Sequence, residues 1–421
     1  MEKTHGKGVL KFAILTTIAI AQADTIASVM LSDIAAAFPD ASTMAVQYVM
    51  QSAMIGAFAV SLLMSVLTAH FRKKPMILAG LVCMFLGGFI PLVNHSSIAI
   101  LDFCGFLVGA GQGFLVPLLG ALVLESFKGK ERQRMIGLNT TFLTGGAALL
   151  LLLAGPICLT GWTNVYFIYL IAAPVFLIAL LFLPKEEKPA AKAKAERTFS
   201  GRKVAAIPLM GWIQCALIVL MSVAYAVFPL NLSFLVTANG FGDAASVSVG
   251  MTTITVVSAL VGLVLPQLIR MSKLFLCTLG SAFGLAAALV VMFAQNMGMV
   301  YVGTVLAGIF FGINMASPGY YVSRICTPAQ YGPTYSLATS VNYLGIILSP
   351  VILSFITGAW GGDPEVALNA FVTGAGMFAL VLVLNIVWNA YLTRKLPAEE
   401  PAGVPVDASL ELEEEEAVAQ H

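Results

Sequence analysis

Charge is what this sequence has least of. Only 10% of its 421 residues are Asp, Glu, Lys or Arg, against roughly 25% in soluble domains. Such a chain cannot cover a water-facing surface, and its 59% hydrophobic residues make lipid the main solvent. The net charge is +1 and no basic face carries interleaved aromatics, so no nucleic-acid partner is expected. The six cysteines, at 83, 104, 158, 215, 277 and 326, never form a C-x-x-C pair. That argues against a zinc site or a disulfide framework and leaves them as small apolar fillers. Also missing are a G-x-x-x-x-G-K-[ST] phosphate loop, a G-x-S-x-G elbow and any His/Glu metal spacing. Neither an ATP-driven pump nor an enzyme is expected, and no cofactor.

What the chain does have is long apolar runs. A spanning helix needs about 20 mostly apolar residues. Twelve segments qualify, near 10–34, 43–69, 75–93, 98–125, 135–159, 162–183, 204–229, 246–269, 274–295, 299–323, 333–358 and 367–391. Leu230 to Val236 could extend the seventh by a turn or two. Ala21-Gln22-Ala23 resembles a signal-peptidase site. The apolar run continues past it to Ile34, so the segment reads as a first transmembrane helix.

Polar punctuation then divides the chain. Residues 1–184 form an N-terminal six-helix bundle and 185–203 a cytoplasmic linker. Residues 204–396 form a C-terminal six-helix bundle, and 397–421 an acidic, disordered cytoplasmic tail ending near Glu413 to Glu416.

Alternating twelve spans from an inside N-terminus puts all 22 Lys and Arg on one face, seven of them in the linker. The opposite loops hold none and carry Asp40, Asp243, Asp363 and Glu365. The positive-inside rule makes the basic face cytoplasmic, with both termini there, in a cell membrane. Internal repetition supports the same division. Gly109, Gly113 and Gly120 recur as Gly308, Gly312 and Gly319, and Gly146 as Gly345, all offset by 199. A constant offset across several positions signals parallel repeats.

Twelve spans as six plus six, a long basic central loop and a short basic loop after the second span resemble the major facilitator superfamily, over about residues 8–396. The closest look is that of the drug:proton antiporter families. The resemblance implies an all-α fold of two six-helix bundles working by alternating access. It also implies a gating role for Arg72, Lys73 and Lys74, the basic end of the short loop. Ala69 stands where that loop's signature has Asp. Gly109-Ala110-Gly111-Gln112-Gly113 matches the family's G-x-G-x-G run in helix four, but Gly105 occupies the place of its Arg. In helix five Gly145-Gly146 and Ala154-Gly155 remain, while Pro156 falls later than the family's Gly-Pro pair. In helix one, Asp24 to Ile34 is similar to the antiporters' Asp-x-Thr-Ile motif, with its Asp one position out of register.

Asp24 is the sharpest single residue. It lies about fifteen residues into the first span. A charged carboxylate at that depth costs about 2.5–3.5 kcal/mol and usually serves ions, protons or substrate. We read it as a proton-coupling or cation-binding group, with a hydrogen-bonded structural Asp as the alternative. Asp33 and Asp102 read as interfacial. No Lys, Arg or His lies deep in a span, which favours a neutral or cationic solute. Gln51, Gln112, Asn139, Tyr225, Asn314 and Asn342 are candidate cavity residues, with interhelical bonding as their commoner fate. Tyr320-Tyr321 and Trp388-Asn389 read as aromatic-belt anchors. Pro117, Pro229, Pro318 and Pro350 are expected to bend helices.

The expectation is a secondary transporter of a small organic solute, as proton-coupled efflux. The alternatives are a facilitator or symporter without proton antiport, or a non-transporting membrane sensor of the same fold. The expected partners are the solute, protons and the lipid bilayer, and a monomer is expected.

Overall fold

The structure is a computed structural model that describes residues 2–184 and 207–395. The linker at 185–203 and the tail from 397 lie outside the described residues. Every regular element described is a helix. The spans are α1 (Glu2–Ala19, a 3-10 turn Ala23–Ile26, then Ala27–Ala37), α2 (Thr43–His70), α3 (Lys73–Val93), α4 (Ile98–Ser126), α5 (Gly129–Cys158) and α6 (a 3-10 stretch Trp162–Ile171, then Ala172–Phe182). After the linker come α7 (Leu209–Tyr225, then Val227–Ala238), α8 (Ala244–Ser272), α9 (a 3-10 turn Lys273–Phe275, then Leu276–Met292), α10 (Met297–Ile325), α11 (Pro328–Ala359) and α12 (Ala367–Lys395).

By length and apolarity alone, Ala244–Met292 reads as one 49-residue helix. That is about 74 Å, more than twice a bilayer core. Lys273 interrupts it with φ +47°, a conformation L side chains rarely take, so α8 and α9 are two spans. Tyr321 holds the turn. Its hydroxyl donates to Leu274 O at 2.5 Å and accepts the Cys277 N–H at 3.1 Å. The twelve expected spans are therefore present, with α7 running on through Leu230–Val236 to Ala238.

Matching sequence positions make matching contacts. Ser97 and Asn296 cap α4 and α10, accepting from Ala99 N and Met299 N. Gly109 and Gly113 of α4 pack on the backbone of α2 at Ala53 and Ala57. Their counterparts Gly308 and Gly312 of α10 pack on α8 at Ile254 and Ser258. Gly146 sets α5 against Ala19 of α1, and Gly345 sets α11 against Val219 of α7. In lipid, apolar side chains gain little from leaving the solvent, so close backbone approach at small residues drives helix pairing. The 199-residue offset is thus a repeat of packing as well as of sequence.

Three expectations about the basic end are corrected. Trp388 is only 7% exposed and donates its indole N–H to Gln214 Oε1 at 2.9 Å. Asn389 is buried and donates to Thr278 Oγ1 at 2.8 Å, and Tyr321 is buried as described above. These residues are interhelical links rather than belt anchors. In a sheath this poor in charge, buried polar groups must find partners on neighbouring helices. Asp33 accepts the Cys158 thiol at 3.3 Å. Asp102 is half-buried, with Oδ1 shielded from solvent.

Candidate functional site

α1 and α7, the first helix of each half, both break near mid-membrane. The α7 break at Ala226 lies one turn before Pro229. Pro229 has no N–H to return to the Tyr225 carbonyl, which is sufficient reason. The α1 break has neither Pro nor Gly. It sits where Gly146 of α5 comes against the Ala19 backbone. Paired interruptions at corresponding positions mark the working region of repeat-built carriers.

Asp24 stands in the α1 break, in the 3-10 turn that leads into the half-helix Ala27–Ala37. The positive end of that half-helix favours a carboxylate there. The side chain is 2% exposed, and Oδ1 has no hydrogen-bond partner. It borders a cavity of about 10 Å³ lined from α1, α2, α3, α4 and α6, including Gly105, Tyr166 and Tyr169. That holds one water at most. Tyr169 closes one side by donating to Ala23 O at 3.1 Å. Asp24 therefore borders a cavity lined by residues of the N-terminal half.

Gly105 shares this cavity. A side chain there would run into Ser52 Oγ and come to 2.7 Å from Val49 O. The close approach of α2 explains why no arginine occupies this position, and why Asp24 has no ion pair among the described residues.

The two halves meet along three seams. Between α1 and α7, the Ser32 and Ser233 hydroxyls lie 2.7 Å apart, and Thr237 Oγ1 donates to Ser32 Oγ at 3.3 Å. Along α2, Thr43 bonds Glu365, Gln47 Nε2 donates to Asn231 Oδ1 at 3.0 Å, and Gln51 Nε2 donates to Ile346 O at 2.6 Å. Phe58 then meets Tyr343 at 6.4 Å between ring centroids. Between α5 and α8, Ser248 Oγ donates to Leu151 O at 2.5 Å and Thr252 Oγ1 to Ala148 O at 3.4 Å. All these hydrogen bonds lie in the acidic-face half of their spans.

The same helix faces continue toward the basic face into exposed positions. On α5 the stripe Gly155, Leu151, Ala148 runs on at helical spacing to Thr144, Thr141 and Gly137, the last two exposed. On α2 it reaches Leu62, on α8 Val256 and Leu263, and on α11 Thr339 and Ser336, all exposed. Thr140, Thr141, Thr339 and Ser340 each donate to the carbonyl one turn back, at 2.9–3.3 Å.

The candidate residues fall in different places. Gln51 belongs to the α2–α11 seam, also donating to Ser349 Oγ at 3.0 Å. Asn342 donates to Ser222 Oγ at 2.8 Å. Tyr225, one turn after Ser222, stacks on Phe311 at 4.5 Å. Gln51 thus joins α2 to α11, Asn342 joins α11 to α7, and Tyr225 joins α7 to α10. Gln112 is buried on the α4 face of Gly105 and Val108, inside the N-terminal half. Asn314 is 1% exposed and shares the α10 face of Phe310, inside the C-terminal half. Asn139 is half-buried on α5, with Oδ1 lacking a hydrogen-bond partner. In the short basic loop Arg72 is exposed and precedes α3, Lys73 pairs with Glu125 of α4, and Lys74 donates to Leu183 O at 2.6 Å. These contacts stay within the N-terminal half. Sequence reasoning missed the seam residues Ser32, Ser233, Gln47, Asn231 and Glu365. Their one shared signal is a polar group near the acidic end of a span.

The family profile described as Major Facilitator Superfamily matches residues 12–286. The chain is 28% identical to the inner membrane transport protein YdiM of Escherichia coli (strain K12) over 205 residues, 45% of this chain and 50% of that protein. It thus spans about half the length of that curated relative. Among solved structures it is similar to the nucleoside transporter NupG, with TM-score 0.74 at 13% identity over 92% of this chain and 99% of that one. A bacterial homolog of the human lysosomal transporter Spinster, inward-facing and unoccupied, matches with TM-score 0.67 at 13% identity, over 95% and 99%. A peptide transporter POT in complex with alafosfalin matches with TM-score 0.69 at 13% identity, over 93% and 96%. At such identities the likeness is one of fold.

Proposed function

We propose, because the chain belongs to the major facilitator superfamily, that it carries a small organic solute by alternating access, with the two halves rocking about a path between them. One observation carries the reading. Among the described residues, hydrogen bonds between the halves gather toward the acidic face, while Thr141, Gly137, Thr339 and Ser336 toward the basic face are exposed. With the basic face cytoplasmic by the charge rule, this is an inward-open arrangement with the outer side shut.

The lack of any Lys, Arg or His deep in a span supports a neutral or cationic solute. Two of the fold neighbours are a nucleoside transporter and a peptide transporter, so both classes belong in a first panel. Asp24 is our candidate coupling group. It is deep, has no ion pair among the described residues, and borders a small cavity beside the helix break. Efflux against protons follows if Asp24 exchanges a proton as the halves rock. The test is solute flux in proteoliposomes with and without an imposed pH gradient. Gradient-driven flux that Asp24→Asn abolishes supports coupling. Flux indifferent to the gradient sinks the antiport reading.

A facilitator or symporter is the second reading, favoured by Gly105, with no room for a side chain, standing where antiporters carry an arginine. Downhill counterflow without a gradient effect identifies it. A membrane sensor would bind solute and show no counterflow.

A further inference from the structure

We propose that Glu365 is a positioning residue for the transport cycle, a latch that shuts the outer face by capping a helix of the opposite half. The outer loops hold no Lys or Arg, so no side-chain ion pair is available to close that face. Its charged groups are Asp40, Asp243, Asp363 and Glu365. The positive partner available is a helix amino terminus. The first N–H groups of a helix have no intrahelical acceptor, and the macrodipole places partial positive charge there.

Glu365 uses both. From the α11–α12 loop its Oε2 accepts the Thr43 N–H at 2.9 Å, and it also accepts the Thr43 hydroxyl. Thr43 opens α2, in the other half. Ser42 accepts Ala45 N–H at 3.3 Å, so the helix's own cap and the borrowed carboxylate satisfy different donors of one turn.

The loop is built to present this carboxylate. Gly361 takes φ +85°, a turn conformation that favours glycine. Asp363 Oδ1 then accepts the Glu365 N–H at 2.9 Å, and the Asp363 carbonyl accepts Asn369 Nδ2 at 3.1 Å. The loop is thereby tied to the start of α12, with Glu365 projecting from it. Charge-assisted bonds to backbone N–H are among the stronger hydrogen bonds. This one exists only while the outer face is closed, so it biases the conformational equilibrium.

The test reads conformation directly, using spin labels at Ser96→Cys and Gln295→Cys on exposed outer loops. The full chain is reconstituted with Cys83 and Cys326 replaced by serine. Pulsed dipolar distances report the outer-open population. Glu365→Ala raises that population about threefold to tenfold. Glu365→Gln, which keeps an acceptor without charge, and Thr43→Val, which keeps the N–H, each give a smaller rise. Should Glu365→Ala fail to fold, the two milder variants carry the test. Distance distributions identical to the parent in folded variants overturn the latch. The readout needs no flux, so a negative result leaves the transport reading standing, and absent counterflow leaves these distances interpretable.

Discussion

Gly155 of α5 lies against Ser248 of α8 so closely that a Cβ at Gly155 would come within 2.5 Å of the Ser248 Cβ and 2.7 Å of the Ala245 Cα. The contact holds the outer end of the α5–α8 seam. Gly137 is on the same α5 stripe with nothing within 4 Å of such a Cβ. The two glycines make opposite predictions. Gly155→Leu wedges the outer seam and moves the population toward outer-open. Gly137→Leu fits this state and obstructs closure of the basic side, so it traps the inward-open form. Distance measurements across the outer and inner loops check both. If the two variants shift the equilibrium in the same direction, the seam assignment fails.

Asp24→Asn keeps the shape of the side chain and removes its charge. The helix break and the cavity lined by Tyr166 and Tyr169 should survive, so thermal stability in detergent should hold or rise. An unpaired charge at this depth costs about 2.5–3.5 kcal/mol. Flux driven by a pH gradient should be lost while counterflow remains. Unchanged gradient-driven flux would show that Asp24 is structural.

Restoring the family's arginine should fail. Gly105→Arg forces a side chain into Ser52 and the Val49 carbonyl. Overpacking of this kind costs about 1–3 kcal/mol or more. The variant should melt lower than its parent, and Gly105→Ala should do so to a smaller degree. A Gly105→Arg protein as stable as the parent would mean that α2 and α4 separate easily here.

Asp243 caps α8 on the acidic face. Its carboxylate accepts the Ser246 N–H and hydroxyl, both at 2.9 Å, and these bonds hold its pKa below the ordinary aspartate value. A depressed folded-state pKa stabilises the fold above the unfolded pKa, and the benefit is lost as pH falls through the folded value. Asp243→Ala should cost about 1 kcal/mol near neutral pH, as cap removal usually does. The difference from the parent should shrink once acid protonates the cap. Melting curves across that acidic range test the sign. A difference that grows on acidification contradicts the assignment.

Much of the fold was legible because its signals are local and one-dimensional. Apolar length marked the spans, and the charge census fixed their alternation. The sequence also divided α8 from α9, as spans 246–269 and 274–295, and Lys273 at φ +47° supplies the turn between them. Pro229 announced the α7 break, since a missing N–H can be read from one residue. The α1 break at Ala23–Ile26 had no such residue, and it coincides with the approach of another helix. Trp388 and Tyr321 misled because an aromatic near a span end looks alike whether it meets headgroups or a buried partner such as Gln214.

By itself the sequence carried the membrane class, and from it we predict the six-plus-six division and one face that holds every Lys and Arg. Lipid enforces these through the cost of exposed backbone and of misplaced charge, residue by residue. Tertiary structure decided where the polar groups point. It placed Asp24 on a cavity lined by the N-terminal half, gave Gln51 to a seam, left Gly105 no room for a side chain, and set Glu365 on Thr43. Those outcomes depend on helix rotation and on which half a neighbour belongs to. Spacing along one chain carries neither, because two packed bundles can satisfy the same pattern of apolar residues while presenting different faces to each other.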